Sequence, residues 1–316
     1  MGSIKISYYL EEHPIGWFEK ARRFILYRKL PMWDFPRNIQ IQTIAACNAH
    51  CIFCPHGKTK NPLPRGSMDW DLYRTIIDEI TKYRVFRISP YLMNEPLLDK
   101  EIGERIRYIS SRKRLPTYTK INTNASFLSE EMSRDLLDSG LDVLTCSVHG
   151  IVKEKYEQTM VGLKLEEVLE NIDRFLELKR KFRKKKPELR ITMIRTNLIE
   201  PDIEKIKEYW RKRNVRVAIR PMSNRAHESI SSLTINARPL MPFTWCHRLF
   251  EQIYINVKGQ LLICCNDWEQ TTILGDLTKQ SIYEAWHGEP YMEVRRRFLK
   301  GQVKGMLCEN CLMQPE

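Results

Sequence analysis

Three cysteines, Cys47, Cys51 and Cys54, fall within eight residues in a C-x3-C-x2-C spacing, directly after an apolar, strand-like run. Thiols packed this closely along a chain point to metal, either iron–sulfur or zinc. Three of them do not complete a tetrahedral shell, so the pattern implies a fourth ligand or an open position. His50 or His56 could close a structural zinc site. A cubane held by three cysteines would instead leave one iron open to a small ligand, as catalysis requires. A loop that follows a strand of a βα sheet or barrel lies at the edge where such folds place active sites, which favours catalysis.

A second group comprises Cys246, Cys264, Cys265, Cys308 and Cys311; with Cys146, which reads as a small buried hydrophobe, the chain has nine cysteines. They are clustered at two places, unlike a disulfide framework, and in a reducing compartment that distribution favours metal. There is no run of about 18 apolar residues and no short apolar segment near Met1, so neither a spanning helix nor a secretory signal is expected. The expected compartment is the cytoplasm.

The 316 residues carry a formal charge of +13, enough to attract nucleic acid, anionic lipid or phosphorylated metabolites. The run Lys179–Lys186 ends the longest helical pattern and precedes Pro187. Cations at a helix C-terminus are favoured by the macrodipole, so this reads as a solvated helix end. A nucleic-acid groove wants interleaved aromatics and only Phe182 is present, so nucleic acid is not the expected partner.

The elements that must position the cysteines follow from periodicity. Residues 14–30 read as a basic amphipathic helix, able in principle to lie on a membrane but expected to pack against the catalytic domain. From Asn38 onward, strand patterns at 38–44, 85–89, 116–122, 142–148, 189–195 and 215–220 alternate with helical patterns at 69–83, 99–113, 129–139, 165–185 and 201–213. Asp69 and Ser129 are placed as N-caps, and Gly140 stands just past a helix end. Six βα-type units predict a parallel sheet curled into a partial barrel. After about residue 222 the pattern changes: a loop-like segment, a hairpin over 251–264 turning at Lys258-Gly259, and short helices at 280–287 and 289–300.

The C-x3-C-x2-C loop, with Phe53 beside its last cysteine, resembles that of the radical S-adenosylmethionine (SAM) superfamily. The resemblance implies that Cys47, Cys51 and Cys54 hold a [4Fe–4S] cluster whose fourth iron is chelated by SAM, and that Phe53 lies near the adenine. One-electron reduction then cleaves SAM to a 5′-deoxyadenosyl radical, which abstracts hydrogen from the substrate. Residues 92–98 resemble the family's Gly-Gly-Glu-Pro-Leu loop, with Met93 and Asn94 where the glycines are usual. Glu95 is thereby implied to receive the methionine ammonium, for which a carboxylate is the natural partner. Asn122-Thr123-Asn124 and Ser147-Val148-His149-Gly150 are similar to strand ends that contact SAM in the family. This implies SAM-facing roles for Asn124 and Ser147, with turn chemistry as the alternative for both.

Cys246, Gly259 and Cys264 fit the C-x(9–15)-G-x4-C spacing of the SPASM and twitch domains that follow some radical SAM cores. The resemblance is to the shorter, twitch form and implies one auxiliary [4Fe–4S] cluster on Cys246, Cys264, Cys308 and Cys311. Adjacent side chains on a strand point to opposite faces, so Cys265 is an alternative to Cys264, and a zinc-ribbon-like site is the alternative for the group. The whole is similar to the twitch dehydrogenases of aminoglycoside pathways, which oxidise a secondary alcohol of 2-deoxy-scyllo-inosamine.

The expected architecture is therefore α/β, a partial (β/α)6 TIM-like barrel with a small C-terminal twitch-like α+β domain. Its divisions would be an N-terminal helical extension at 1–37, the barrel at 38–222 and the auxiliary-cluster domain at 223–316. The implied function is a radical SAM oxidoreductase with two [4Fe–4S] clusters and SAM, dehydrogenating a hydroxyl-bearing sugar-like or cyclitol metabolite. A flavodoxin- or ferredoxin-type reductant would supply electrons, and Arg195 and Arg220, near strand ends, would be substrate anchors or acid–base partners. The nearest rival is a peptide maturase, disfavoured by a short N-terminal segment. Remoter ones are a molybdenum-cofactor-type cyclase and a zinc-stabilised basic nucleic-acid-binding protein.

Overall fold

The computed structural model describes residues 32–56, 58–60, 63–226, 241–242 and 246–313; the amphipathic pattern at 14–30 lies outside them. Six parallel strands, β1 (Asn38–Ile41), β2 (Arg87–Ser89), β3 (Tyr118–Thr123), β4 (Val143–Ser147), β5 (Glu188–Ile194) and β6 (Arg216–Arg220), pair in sequence order. Between them run α1 (Trp70–Ile80), α2 (Ile102–Arg112), α3 (Glu130–Asp138), α4 (Lys153–Thr159), α5 (Leu165–Lys181) and α6 (Ile203–Lys212). This is the α/β, partial-barrel architecture expected from the alternating periodicities.

Local chemistry explains the boundaries. Asp69 caps α1 through the Asp71 and Leu72 amides, and Ser129 caps α3 through the Met132 amide. Gly140 follows α3 at φ +80°, where a side chain would be strained. Helix α5 stops at Lys181, short of the expected 185, because Arg183 takes φ +52° and leads the chain toward Pro187. Lys181 to Lys186 are all exposed, as a solvated helix end requires. Helix α4 and the short 3-10 turn Pro96–Leu98 were not marked by periodicity, since each is too brief to show one.

Beyond β6 come β7 (Met241–Pro242), the one-turn helix α7 (Arg248–Glu251), β8 (Gln252–Ile255), β9 (Gln260–Leu262) and β10 (Ile273–Asp276). Then follow α8 (Ile282–His287), α9 (Glu289–Leu299) and β11 (Leu312–Met313), which pairs β7. The hairpin is as expected: Gly259 at φ +78° makes the turn, and Asn256 Oδ1 accepts from the Lys258 and Gln260 amides. Strand β8 lies parallel along β1, so one mixed nine-stranded sheet runs β10-β9-β8-β1-β2-β3-β4-β5-β6. The C-terminal segment is thereby fixed to the strand that delivers the first cysteine loop.

Two large apolar clusters flank this sheet, one under α2 to α6 and one joining β1 and α1 to α8 and α9. Burial of such side chains stabilises by about 25 cal/mol per Å². A third, small cluster of Met93, Tyr254, Leu262 and Trp268 has Cys54 on one flank and Cys265 on another. No described helix is long and apolar enough to cross a membrane.

Candidate active site

The loop after β1 is held by its backbone. His50 and Ile52 donate their amides to the Val161 and Thr159 carbonyls, at 2.8 and 3.0 Å, just beyond α4 and at its last residue respectively. The Glu95 amide donates to the Ala46 carbonyl at 2.9 Å, joining the loop to the end of β2. A Cβ on Gly162, which has φ +93°, would stand 3.2 Å from the Asn48 carbonyl, so the loop can pass this closely only over glycine. Cys51 Sγ donates to Met160 Sδ at 3.4 Å. Burial pushes the Cys47 and Cys51 thiols up to about 12. Without a cation these thiols stay protonated; a metal that displaces the protons relieves the cost.

Glu95 is buried and accepts from the Leu97 amide (3.1 Å), the Thr123 hydroxyl (2.5 Å) and the Asn124 amide (2.7 Å). Burial raises its carboxyl to about 7, and the three hydrogen bonds act the other way. Asn124 Nδ2 donates to Asn48 Oδ1 at 2.9 Å, while Asn124 Oδ1 accepts from Ser126. Asn124 is thus both the turn residue and the tie between β3 and the cysteine loop. His149 packs edge-on to Phe53, with ring centroids 4.6 Å apart, and its Nδ1 accepts the Ile194 amide. Burial first, and the Arg225 cation second, lower it to about 3, so the ring is neutral.

These groups meet at one cavity of about 180 Å³, whose lining includes Cys47, Cys51, Cys54, Glu95, Asn124 and Ser147. Phe53 lines it too. Four buried polar atoms in this wall have no hydrogen-bond partner among the described residues: Asn94 Nδ2, Asn122 Oδ1, His56 Nδ1 and Trp268 Nε1. Orphaned donors and acceptors beside clustered thiols and a carboxylate fit a polar, cationic ligand seated on an iron–sulfur cluster. Cys146 is fully buried in the core, as read from the sequence.

Arg195 and Arg220 do not line this cavity. Arg195 is half exposed and grips Glu200 with both ends of its guanidinium, and Arg220 belongs to β6 opposite Ile194. The cation that does line it is Arg225, five residues beyond β6, at φ +53° in a stretch that reads only as loop. Trp268, contributed by the C-terminal segment, is another wall residue not foreseen; an apolar residue after a cysteine pair carries no sequence signal of a site.

The second group assembles from three elements: Cys246 just before α7, Cys264 and Cys265 after β9, and Cys308 and Cys311 around the 3-10 turn Leu307–Asn310. Cys264 and Cys265 have their sulfurs 4.0 Å apart, and Asn266 Nδ2 donates to Cys311 Sγ at 3.8 Å. Burial pushes Cys308 up to about 12 and Cys311 up to about 11, while the Arg248 cation pulls Cys311 down. Cys264 packs on the same apolar cluster as Cys308, whereas Cys265 packs on the small cluster shared with Cys54. Among the described residues no three His, Cys, Asp or Glu side chains converge to the range of a single metal ion.

A larger cavity, about 680 Å³, shares the walls Phe53, Cys54 and Trp268 with the first and extends to Lys60, Asn266 and Asn310. It spans from the first cysteine loop to the neighbours of the second group.

Comparison with known proteins agrees with this geometry. The chain matches the Radical SAM superfamily over residues 41–184 and the SPASM iron-sulfur cluster-binding domain over 246–312. It is 22% identical over 282 residues to the S-adenosyl-L-methionine-dependent 2-deoxy-scyllo-inosamine dehydrogenase of Niallia circulans, covering 86% of this chain and 91% of that protein. The structure of BtrN in complex with AdoMet and 2-DOIA superposes with TM-score 0.59 at 21% identity, over 88% of this chain and 93% of that one. That of anSMEcpe with bound AdoMet and Cp18Cys peptide gives 0.62 at 13%, over 82% of each. At these identities the structures share the fold.

Proposed function

Because this chain is a radical SAM enzyme with a C-terminal SPASM-type iron–sulfur domain, we propose that it oxidises a hydroxyl-bearing carbon of a sugar-like or cyclitol metabolite. The observation that carries the reading is the shared wall of Phe53, Cys54 and Trp268. It borders both a thiol-lined cavity and a chamber that extends to Asn266 and Asn310, neighbours of the second cysteine group. The 2-deoxy-scyllo-inosamine dehydrogenase relative, which this chain matches over most of its length, supports the reaction class.

In this reading Cys47, Cys51 and Cys54 hold the first [4Fe–4S] cluster, and Cys246, Cys264, Cys308 and Cys311 the second. When bound, SAM and the first cluster would supply hydrogen-atom abstraction from carbon, and the second cluster would supply an acceptor for the electron released with the hydroxyl proton. Glu95 receives the SAM ammonium, with Asn124 and Ser147 along the same wall and Phe53 beside the adenine. Arg225 is the cation available to bind a substrate oxygen and favour its deprotonation. The chain's remaining task is to hold the substrate C–H in the chamber and exclude water. Residues 38–222 form the barrel and 223–316 the auxiliary-cluster domain, joined through β1 and β8. A flavodoxin- or ferredoxin-type protein delivers the reducing electron, and the reducing cytoplasm suits two clusters.

The chamber is roomier than a single cyclitol needs, which favours peptide modification as the second reading. One assay separates them. Protein reconstituted anaerobically and given SAM, a reductant and either 2-deoxy-scyllo-inosamine-type cyclitols or peptides should form 5′-deoxyadenosine and a ketone from the cyclitol. Product from peptides alone would replace the first reading with the second. No 5′-deoxyadenosine under any condition would overturn both.

A further inference from the structure

Asn266 follows the Cys264-Cys265 pair and is buried to 6% exposure. Both ends of its amide are committed to sulfur: Nδ2 donates to Cys311 Sγ at 3.8 Å, and Oδ1 accepts from Cys265 Sγ at 4.0 Å. The same side chain lines the 680 Å³ chamber that runs to Cys54 and Trp268. One side chain therefore touches the C-terminal thiol farthest along the chain and the space in which the substrate is proposed to sit.

We infer that Asn266 is a positioning residue that sets the electron affinity of the second cluster from the substrate side of its shell; this rests on reading Cys311 as a ligand of that cluster. The physical reason is charge. Reduction adds negative charge that spreads onto the ligating sulfurs, so an N–H aimed at one of them stabilises the reduced state more than the oxidised one. Asn266 carries no net charge and needs no proton transfer to do this.

The test is an EPR-monitored redox titration of anaerobically reconstituted protein, with iron and acid-labile sulfide measured on each sample. Asn266→Leu keeps the volume and removes the donor without adding charge; Asn266→Ala removes the side chain. Both should move the midpoint of the second cluster to more negative potential and leave that of the first cluster in place. Should Asn266→Ala lose the second cluster, Asn266→Leu carries the comparison. Unmoved midpoints in a variant that retains both clusters would overturn the inference. A wild-type protein holding one cluster's iron would fail the proposed function itself, a result recognisable before any variant is made.

Discussion

The Asn124 backbone amide donates to Glu95 Oε2 at 2.7 Å, so the end of β3 holds a carboxylate delivered by the loop that follows β2. Three protein donors hold this group, yet burial still raises it from 4.5 to about 7, which marks a carboxylate that lacks a cation. The sign follows from linkage. Between these values the unfolded chain has lost the proton that the folded chain keeps, so stability of the ligand-free protein falls as pH rises through the window and levels above it. Binding of an ammonium requires the ionised form and should run oppositely. SAM affinity, measured by anaerobic calorimetry between about pH 6 and 8, should increase toward about 7 and then level. Glu95→Gln should abolish the step and weaken binding by about tenfold or more, the scale of a charged hydrogen bond. A pH profile unchanged in the variant would remove Glu95 from the SAM site.

The two cysteine groups make separable predictions. Wild-type protein should hold about eight irons and eight sulfides, four for each cubane. Replacing Cys47, Cys51 and Cys54 together by Ala should leave about four irons and no SAM cleavage. Cys308→Ala should cut product formation more than 5′-deoxyadenosine release, because the first cavity is lined by none of the second group's cysteines. Zinc without sulfide in the wild type would overturn both assignments.

What the sequence disclosed and what it hid divide along chain distance. The cysteine loop, Glu95 and the Asn124 strand end are local patterns, each set by a few adjacent residues, and all line one cavity. The alternation of strand and helix gave the parallel order for the same reason, since consecutive βα units pack side by side. Trp268 and Arg225 were hidden because their roles come from long-range placement: β8 pairing along β1 carries the C-terminal segment to the cysteine loop, across more than 200 residues of sequence. Arg195 misled because the end of a strand in such a fold suggests function, whereas its guanidinium is taken by Glu200.

That difference between the two arginines is measurable. Arg195 is half exposed in a surface ion pair, so Arg195→Ala should cost about 0–1 kcal/mol in stability and leave turnover unchanged. Arg225 stands in the cavity wall, within electrostatic reach of Cys51 and His149. Arg225→Ala should lower product formation at least about tenfold, the loss of one charged hydrogen bond to the reacting oxygen, and Arg225→Lys should recover part of it. Equal turnover in Arg225→Ala and wild type would exclude a substrate role for that cation.

Trp268 is one of three side chains shared by both cavities, 4% exposed, with its indole N–H unpartnered among the described residues and its ring 6.5 Å from that of His56. It packs with Met93, Tyr254 and Leu262, so it supports the core there, and it borders both the thiol-lined cavity and the chamber. Trp268→Phe retains most of the ring and loses the donor; it should weaken ligand binding by about 0.5–1.5 kcal/mol, one neutral hydrogen bond, with little change in melting temperature. Trp268→Ala removes the wall, and about 3–5 kcal/mol of stability with it. Opening the wall admits water to the space where the substrate C–H must be held. Radical formation should then outrun product formation, and the ratio of 5′-deoxyadenosine to product, measured by chromatography after a fixed interval, should rise well above that of wild type. An unchanged ratio in a folded Trp268→Ala protein would mean that the two cavities work independently and that the indole serves packing alone.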